Sequence, residues 1–209
     1  MAVTLAQSRK IGVAIAKTNP RFKPIIEQSG PCPIGLDSKR PVESNFSTLA
    51  SSILSQQLSS KAAATIIARV KSLSGGRLSP TGISRLSRGD LRKAGCSNSK
   101  ARALAELAEA ALSSQVSMSS LHRLGDQEIR DQLLPLFGIG LWTVEMFLMF
   151  QLGRQDVWPV GDLGVRRGWQ KVHRMRREIK PSELLRLGEA YSPYRSHLAW
   201  YCWRATEIL

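Results

Sequence analysis

Two short stretches of this chain carry residues of the kind that do chemistry. The first is Leu133-Leu-Pro-Leu-Phe-Gly-Ile-Gly-Leu-Trp-Thr-Val-Glu-Met-Phe147. Gly138 and Gly140 let the backbone turn tightly with no Cβ in the way. A helix starting directly after them presents unpaired N–H groups at its positive end, and such an end takes a phosphate without any charged side chain. A Gly-Ile-Gly turn alone marks any tight connection between helices. Between two helices in a strongly basic chain it points to a grip on a nucleic-acid backbone that does not read sequence. The second stretch is Asp156-Val-Trp-Pro-Val-Gly-Asp-Leu-Gly-Val-Arg-Arg-Gly-Trp169. Pro159 and Gly161 break regular structure, and Asp162 then stands where a helix N-cap belongs. Taken alone, a Gly-Asp pair reads as a cap and nothing more.

The chain has 209 residues, with 30 Lys+Arg against 16 Asp+Glu and a formal net charge of +14. Its 43% hydrophobic content fills a core, so the excess charge sits on the surface of a folded body. That favours a polyanionic partner, nucleic acid first and an anionic membrane second. The membrane falls away. Lys10 and Lys17 interrupt the apolar N-terminal stretch, and the run from Ile139 to Leu152 is one helix long and contains Glu145 and Gln151. Cys32, Cys96 and Cys202 form no CxxC pair, which excludes a four-thiolate cluster and fits a reducing compartment. His122, His173 and His197 lack metal-ligand spacing and are expected at the surface or in supporting positions. The basic run from Arg166 to Lys180 reads as a solvated face, with only the side next to Asp162 touching phosphate.

The elements that must position these residues are helical. Phe46, Leu49, Ile53 and Leu54 share one face behind Ser44 or Asn45, and Ala63, Ile66, Ile67 and Val70 repeat the pattern. Ala101, Leu104, Leu107, Ala108 and Leu112 follow a capping Ser-Asn-Ser. Further stripes run through Ile129 and Leu133, through Trp142, Met146, Met149 and Phe150, and through Leu198, Tyr201, Cys202, Ala205 and Ile208. Sustained period-two alternation is absent, so the fold class is all-α. Residues 18–43, rich in proline, read as an irregular wrapping segment after an N-terminal helix.

Hairpin, Gly/Pro-rich loop and aspartate in this order resemble the helix-hairpin-helix (HhH-GPD) superfamily of DNA glycosylases. The likeness extends to the segment Phe46–Ala64, to Gly161-Asp-Leu-Gly-Val-Arg166 and to Ser192-Pro-Tyr-Arg-Ser-His-Leu-Ala-Trp-Tyr-Cys-Trp-Arg204. These look like the alkylpurine branch, the 3-methyladenine DNA glycosylase II type. Only 45 residues precede the first motif, as in the compact form of the family. The resemblance implies a two-lobed helical fold with a cleft between the lobes. One lobe would span residues 45–154, with the hairpin at about 125–151, and the other would join 1–44 to 155–209.

By this resemblance Asp162 is the catalytic carboxylate, stabilising an oxocarbenium ion and orienting or deprotonating the attacking water. A cationic alkylated purine leaves without protonation, so one carboxylate suffices. Glu145, three residues after Trp142, takes either a second acid–base role or a buried place beside an arginine. Bifunctional relatives carry a nucleophilic lysine where this chain has Trp142, so a monofunctional enzyme without lyase activity is expected. Trp142 would stack on the flipped cationic base, with Tyr194 or Trp200 also lining the pocket. The turn at Gln56-Gln57-Leu58-Ser59 would plug the duplex, with Gln57 as the wedge and Ser59 in the minor groove. Lys61, Lys100, Gly138, Gly140, Thr143, Gly164 and Arg166 complete the expected DNA contacts. A monovalent cation, Na+ or K+, would bind the carbonyls of Leu134, Leu136 and Ile139 when DNA is present; no other cofactor is implied.

The expected function is excision of 3-methyladenine and 7-methylguanine from double-stranded DNA by a monomer in base excision repair. It would work in the cytoplasm or nucleoid of a bacterium or archaeon, or in a eukaryotic nucleus. The rivals are a helix-hairpin-helix glycosylase for deaminated or oxidised bases and a non-catalytic DNA-binding module.

Overall fold

The structure, a computed structural model, describes residues 3–37 and 43–209. The described α-helices are α1 (Leu5–Thr18), α2 (Lys23–Ser29), α3 (Asn45–Ser55), α4 (Ser60–Leu73), α5 (Pro80–Ser84), α6 (Arg88–Lys93), α7 (Asn98–Leu112), α8 (Asp126–Leu133), α9 (Leu141–Met146), α10 (Leu163–His173), α11 (Pro181–Gly188) and α12 (Arg195–Ile208). No strand occurs among the described residues; Val3 and Leu36 form an isolated parallel bridge.

Local chemistry explains where helices begin. Thr4, Ser44, Ser59, Ser79, Ser87 and Ser97 each accept the N–H three residues on, capping α1, α3, α4, α5, α6 and α7. Residues 18–43, expected to be irregular, in fact contain a 3-10 turn at Pro20–Phe22 followed by α2. Pro20 and Pro24 occupy first-turn positions, where a missing N–H removes no helical bond. Residues 38–42 of that segment lie outside the described ones.

The chain divides into two compact units, Val42–Phe147 and Met1–Pro41 with Leu148–Leu209. In the first, α3 packs on α4 and α7, α5 and α6 pack on α7, and α8 pairs with α9. Phe46, Leu49, Ile53, Leu54, Leu104 and Leu107 fill its core. In the second, α10 lies against α12 so closely that a side chain at Gly168 would overlap the Cys202 carbonyl. Phe22 sits among Trp169, His173 and Tyr191, and Trp158 meets Trp169 edge-on at 6.2 Å. Of the two places expected for the histidines, surface or supporting, His173 and His197 take the supporting one. His173 stacks on Trp169 at 4.1 Å, and His197 is fully buried with Nε2 2.5 Å from Gln155 Oε1. His173 bonds through both ring nitrogens, to Asn19 and to the Trp169 carbonyl, whereas His197 Nδ1 is buried without a hydrogen-bond partner.

Candidate functional site

In the Val42–Phe147 unit, α8 ends at Leu133 and the chain turns through Gly138 before α9 starts at Leu141. Gly138 has φ +81°, and a Cβ there would lie 2.7 Å from the Ala103 Cβ of α7, so both backbone and space demand glycine. The turn is anchored by α7. Phe137 N–H donates to Glu106 Oε2 at 3.1 Å, and the Arg102 guanidinium, itself paired with Glu106, lies 3.9 Å from the Phe137 ring centroid. Gly140 caps α9 and brings no side chain to its first amides.

The turn between α3 and α4 is tied to the same place. Gln56 Nε2 donates to the Gly138 carbonyl at 2.9 Å. Gln57 next to it is exposed and held at φ +58°, a left-handed conformation unusual for a side-chain-bearing residue. Lys61 is exposed on the first turn of α4. Ser59 caps α4 through its hydroxyl, so its oxygen is engaged with Ala62 N–H at 3.3 Å. Lys100, expected at a phosphate, turns its ammonium onto the Leu54 carbonyl at 2.7 Å, where partial burial lowers its pKa. It tethers the end of α3. Thr143, also expected to meet DNA, is 4% exposed, because it lies on the core side of α9. Trp142 is 49% exposed, too open for a purely packing residue, whereas Glu145 one turn on is buried. In the turn itself Leu134 is exposed, Leu136 and Ile139 are buried, and the Leu136 carbonyl accepts the Ile139 N–H at 3.1 Å.

In the other unit, the loop leading to Asp162 is pinned at its start. Asp156 receives Arg195 Nε at 2.7 Å and Nη2 at 2.8 Å, and Ser192 Oγ at 2.8 Å. Burial pushes its carboxyl up, but Arg195 and Ser192 outweigh that and hold it below the ordinary range. Val157 N–H donates to Ser196 Oγ, and the Trp158 indole donates to the Leu184 carbonyl, each at 2.9 Å. The chain then turns, with Asp162 N–H bonded to the Pro159 carbonyl at 2.9 Å. Asp162 caps α10, its Oδ1 accepting Val165 N–H at 2.8 Å. The same oxygen accepts the Trp203 indole N–H of α12 at 2.9 Å.

Trp203, to which the sequence reading gave no functional role, is the residue that reasoning missed. It is half-buried and stacks on Phe150, centroids 5.8 Å apart and planes 27° apart, with Phe150 itself 48% exposed. The available signal was Gly164: a glycine in a helix's first turn leaves room for something large. A Cβ there would lie 2.7 Å from Trp203 Cδ1, so Gly164, expected to face DNA, faces the indole. Tyr194 stands nine residues before Trp203, about 13 Å along α12. It lines a cavity of about 490 Å³ with residues of α1. Trp200 is half-buried, its ring edge-on to Tyr201 at 5.0 Å.

The basic run is partly spent internally. Lys171 Nζ donates to the Thr206 carbonyl at 3.0 Å, and Arg177 pairs with Glu183 at 2.6 Å. Arg166, beside Asp162, is half-buried, with a buried Nε that has no hydrogen-bond partner. The three cysteines are free and buried, and burial pushes the Cys32 thiol up to about 12, so none supplies a thiolate nucleophile. No helix among the described residues is long and apolar enough to cross a membrane.

Known proteins share the sequence and fold of this chain. DNA-3-methyladenine glycosylase 1 of Schizosaccharomyces pombe is 35% identical over 176 residues, 83% of this chain and 75% of that protein. The solved structure of the 3-methyladenine DNA glycosylase of the same yeast with abasic DNA superimposes with a TM-score of 0.83 at 32% identity, covering 96% of this chain and 97% of the other. A DNA-3-methyladenine glycosidase from Bacillus halodurans gives 0.81 at 34% identity, over 92% and 87%. Residues 50–193, which hold the hairpin, the Asp162 loop and most of the helices around them, match the family described as HhH-GPD superfamily base excision DNA repair protein, and the chain belongs to that family.

Proposed function

We propose that this protein is a DNA glycosylase of base excision repair that releases alkylated purines, 3-methyladenine and 7-methylguanine first, from duplex DNA. The observation that carries the reading is the carboxylate at the head of α10. Asp162 takes two N–H donors on one oxygen, in a chain whose relatives over most of their length are 3-methyladenine glycosylases. Two donors, from Val165 on α10 and Trp203 on α12, fix the direction of the carboxylate. An ionised carboxylate stabilises the positive charge that develops on the sugar as the base departs.

The reaction balances without a second acid. The C1′–N bond breaks, and its electron pair passes to the alkylated purine, which leaves neutral. Water adds to C1′, and its proton passes to Asp162 or to solvent. The products are a free base and an abasic site. Trp142 stands where a bifunctional relative carries its lysine, so no amine is placed there to form a Schiff base and the DNA strand stays intact. Its exposed indole offers a flat face to a flipped cationic base, worth about 0.5–2 kcal/mol.

The first amides of α9, which Gly140 leaves without a side-chain cap, would take a DNA phosphate, while Gln57 fills the gap left by the flipped nucleotide. A monovalent cation would sit on the carbonyls of Leu134, Leu136 and Ile139. The Leu136 oxygen keeps a lone pair for it beyond the Ile139 bond, and the cation's charge would support the phosphate. The +14 net charge then serves to steer and slide the monomer along DNA, with strong salt dependence.

The test is base release from dimethyl-sulfate-treated duplex DNA, with uracil- and 8-oxoguanine-containing duplexes as rivals. Methylpurine release that is lost in Asp162→Asn, with binding to abasic-analogue DNA retained, supports the reading. Preference for the deaminated or oxidised duplex, or unchanged release in the variant, overturns it. Borohydride trapping should give no covalent adduct.

A further inference from the structure

Capping a helix does not require a carboxylate, and this chain shows it. Six helices are capped by hydroxyls, and α10 alone among the described α-helices is capped by an aspartate side chain. What further distinguishes that cap is a donor from 41 residues away, the Trp203 indole. Tryptophan has one polar atom, an N–H that only donates. Here that atom is spent on Asp162 Oδ1, at 2.9 Å, beside the Val165 amide at 2.8 Å.

Three features serve this contact. Gly164 supplies the space, since a Cβ would approach Trp203 Cδ1 to 2.7 Å, Nε1 to 3.0 Å and Asp162 Oδ1 to 3.1 Å. Phe150 stacks on the indole and fixes its plane. Gly168 brings α10 and α12 into backbone contact, so the indole reaches the carboxylate without stretching.

We propose that Trp203 is a positioning residue for Asp162. Its indole N–H joins the Val165 amide on one carboxylate oxygen and so fixes the plane of the carboxylate and the direction of its second oxygen. Gly164 is the position that admits it. A second donor, from a different helix, restricts rotation of the carboxylate beyond what the Val165 amide imposes. This rests on Asp162 being the catalytic carboxylate, and the two ideas fail separately.

The experiment uses the full chain and duplex DNA containing 7-methylguanine. Trp203→Phe keeps an aromatic ring against Phe150 and removes only the donor. Its single-turnover release rate should fall about 10- to 100-fold, the loss expected for a hydrogen bond to a charged group, with affinity for abasic-analogue DNA within about threefold of wild type. The indole proton of Trp203, assigned by its disappearance in that variant, should shift in the proton–nitrogen NMR spectrum of Asp162→Asn. A ring that merely packs would show neither change. Should Trp203→Phe not fold, Gly164→Ala pushes the indole aside and should cause the same rate loss at retained DNA affinity. Release at the wild-type rate in whichever of these variants folds, or an indole resonance unmoved in Asp162→Asn, overturns the positioning role while leaving Asp162 catalytic. Unchanged release in Asp162→Asn overturns the catalytic reading itself.

Discussion

The helices α9 and α10 begin alike and end their resemblance at the cap. Both follow a glycine-containing turn, and both have no acidic residue in the first turn. Each therefore presents a positive helix end. At α9 the cap is Gly140, with no side chain, so the amides are left for an anion from outside the chain. At α10 the anion is built in, as Asp162 folds its own Oδ1 onto the Val165 amide. One backbone device thus serves two purposes. The α9 end carries no side-chain cap, and the α10 end holds a carboxylate in place. At α10 the helix end and the Trp203 indole both donate to that carboxylate, a pairing α9 has no side chain to make.

The sharpest way to break the comparison is to make α10 resemble the hydroxyl-capped helices. In Asp162→Ser the cap survives, so stability should change by no more than about 1 kcal/mol. Base release should fall roughly a thousandfold, because the charge facing the developing cation is gone. Thermal melting and single-turnover release on one preparation check both halves. A serine variant that is folded and active would mean that the carboxylate is only a cap.

How much of this was legible beforehand follows from the range of each interaction. The caps at Ser44, Ser97 and Asp162 are contacts over three residues, and the spacing of Leu104, Leu107 and Ala108 repeats along one helix, so local sequence carries both. The Gly138 turn was readable because few residues tolerate its φ. Trp203 was not readable, since its partner lies on another helix and nothing near residue 203 marks the pairing. Lys100 and Thr143 were misplaced for the same reason: charge and polarity say what a side chain can bind, and the helix face decides what it meets. Tyr194 was given a pocket by resemblance, and its place at the head of α12 sets it beside a cavity lined by α1.

A second prediction separates the two helix ends by pH. His197 on α12 is buried beside Gln155, in the loop that leads to α10, and burial lowers its pKa from 6.5 to about 4. Gln155 Nε2 donates to the Gly153 carbonyl, so its Oε1 faces His197, which donates to it from Nε2. The unfolded chain takes up a proton near pH 6.5 while the folded one does not, so this contribution to stability is intact above 6.5 and is lost as pH falls toward 4. The loss amounts to about 3 kcal/mol. Hydrogen exchange should show α10 and α12 loosening over that interval before α7 and α8 do. His197→Met should flatten the dependence, and equal loosening of all four helices would put the acid-sensitive group elsewhere.

The open end at α9 can be broken through its turn. Gly138→Ala forces an L-residue to φ +81° and drives its Cβ toward Ala103, a strain of about 1–3 kcal/mol. The amides of α9 should lose their aim, and affinity for abasic-analogue DNA should fall about tenfold, while base release from bound DNA stays near wild type because Asp162 is untouched. The reverse pattern would mean that the turn shapes the reacting centre and not the grip.

The smallest effect expected is at Gln56, whose amide ties the turn between α3 and α4 to the Gly138 carbonyl. The bond is partly exposed and neutral, so its removal in Gln56→Ala should cost about 1 kcal/mol. The consequence depends on what the bond does. If it carries the turn with the hairpin onto DNA, the variant should bind abasic-analogue DNA roughly fivefold more weakly, and Gln56→Ala should add nothing in a Gly138→Ala background, since the alanine already moves the accepting carbonyl. Losses that simply add would show that this turn and the hairpin grip DNA independently, and the hydrogen bond between them would then be a contact of the free protein with no part in binding.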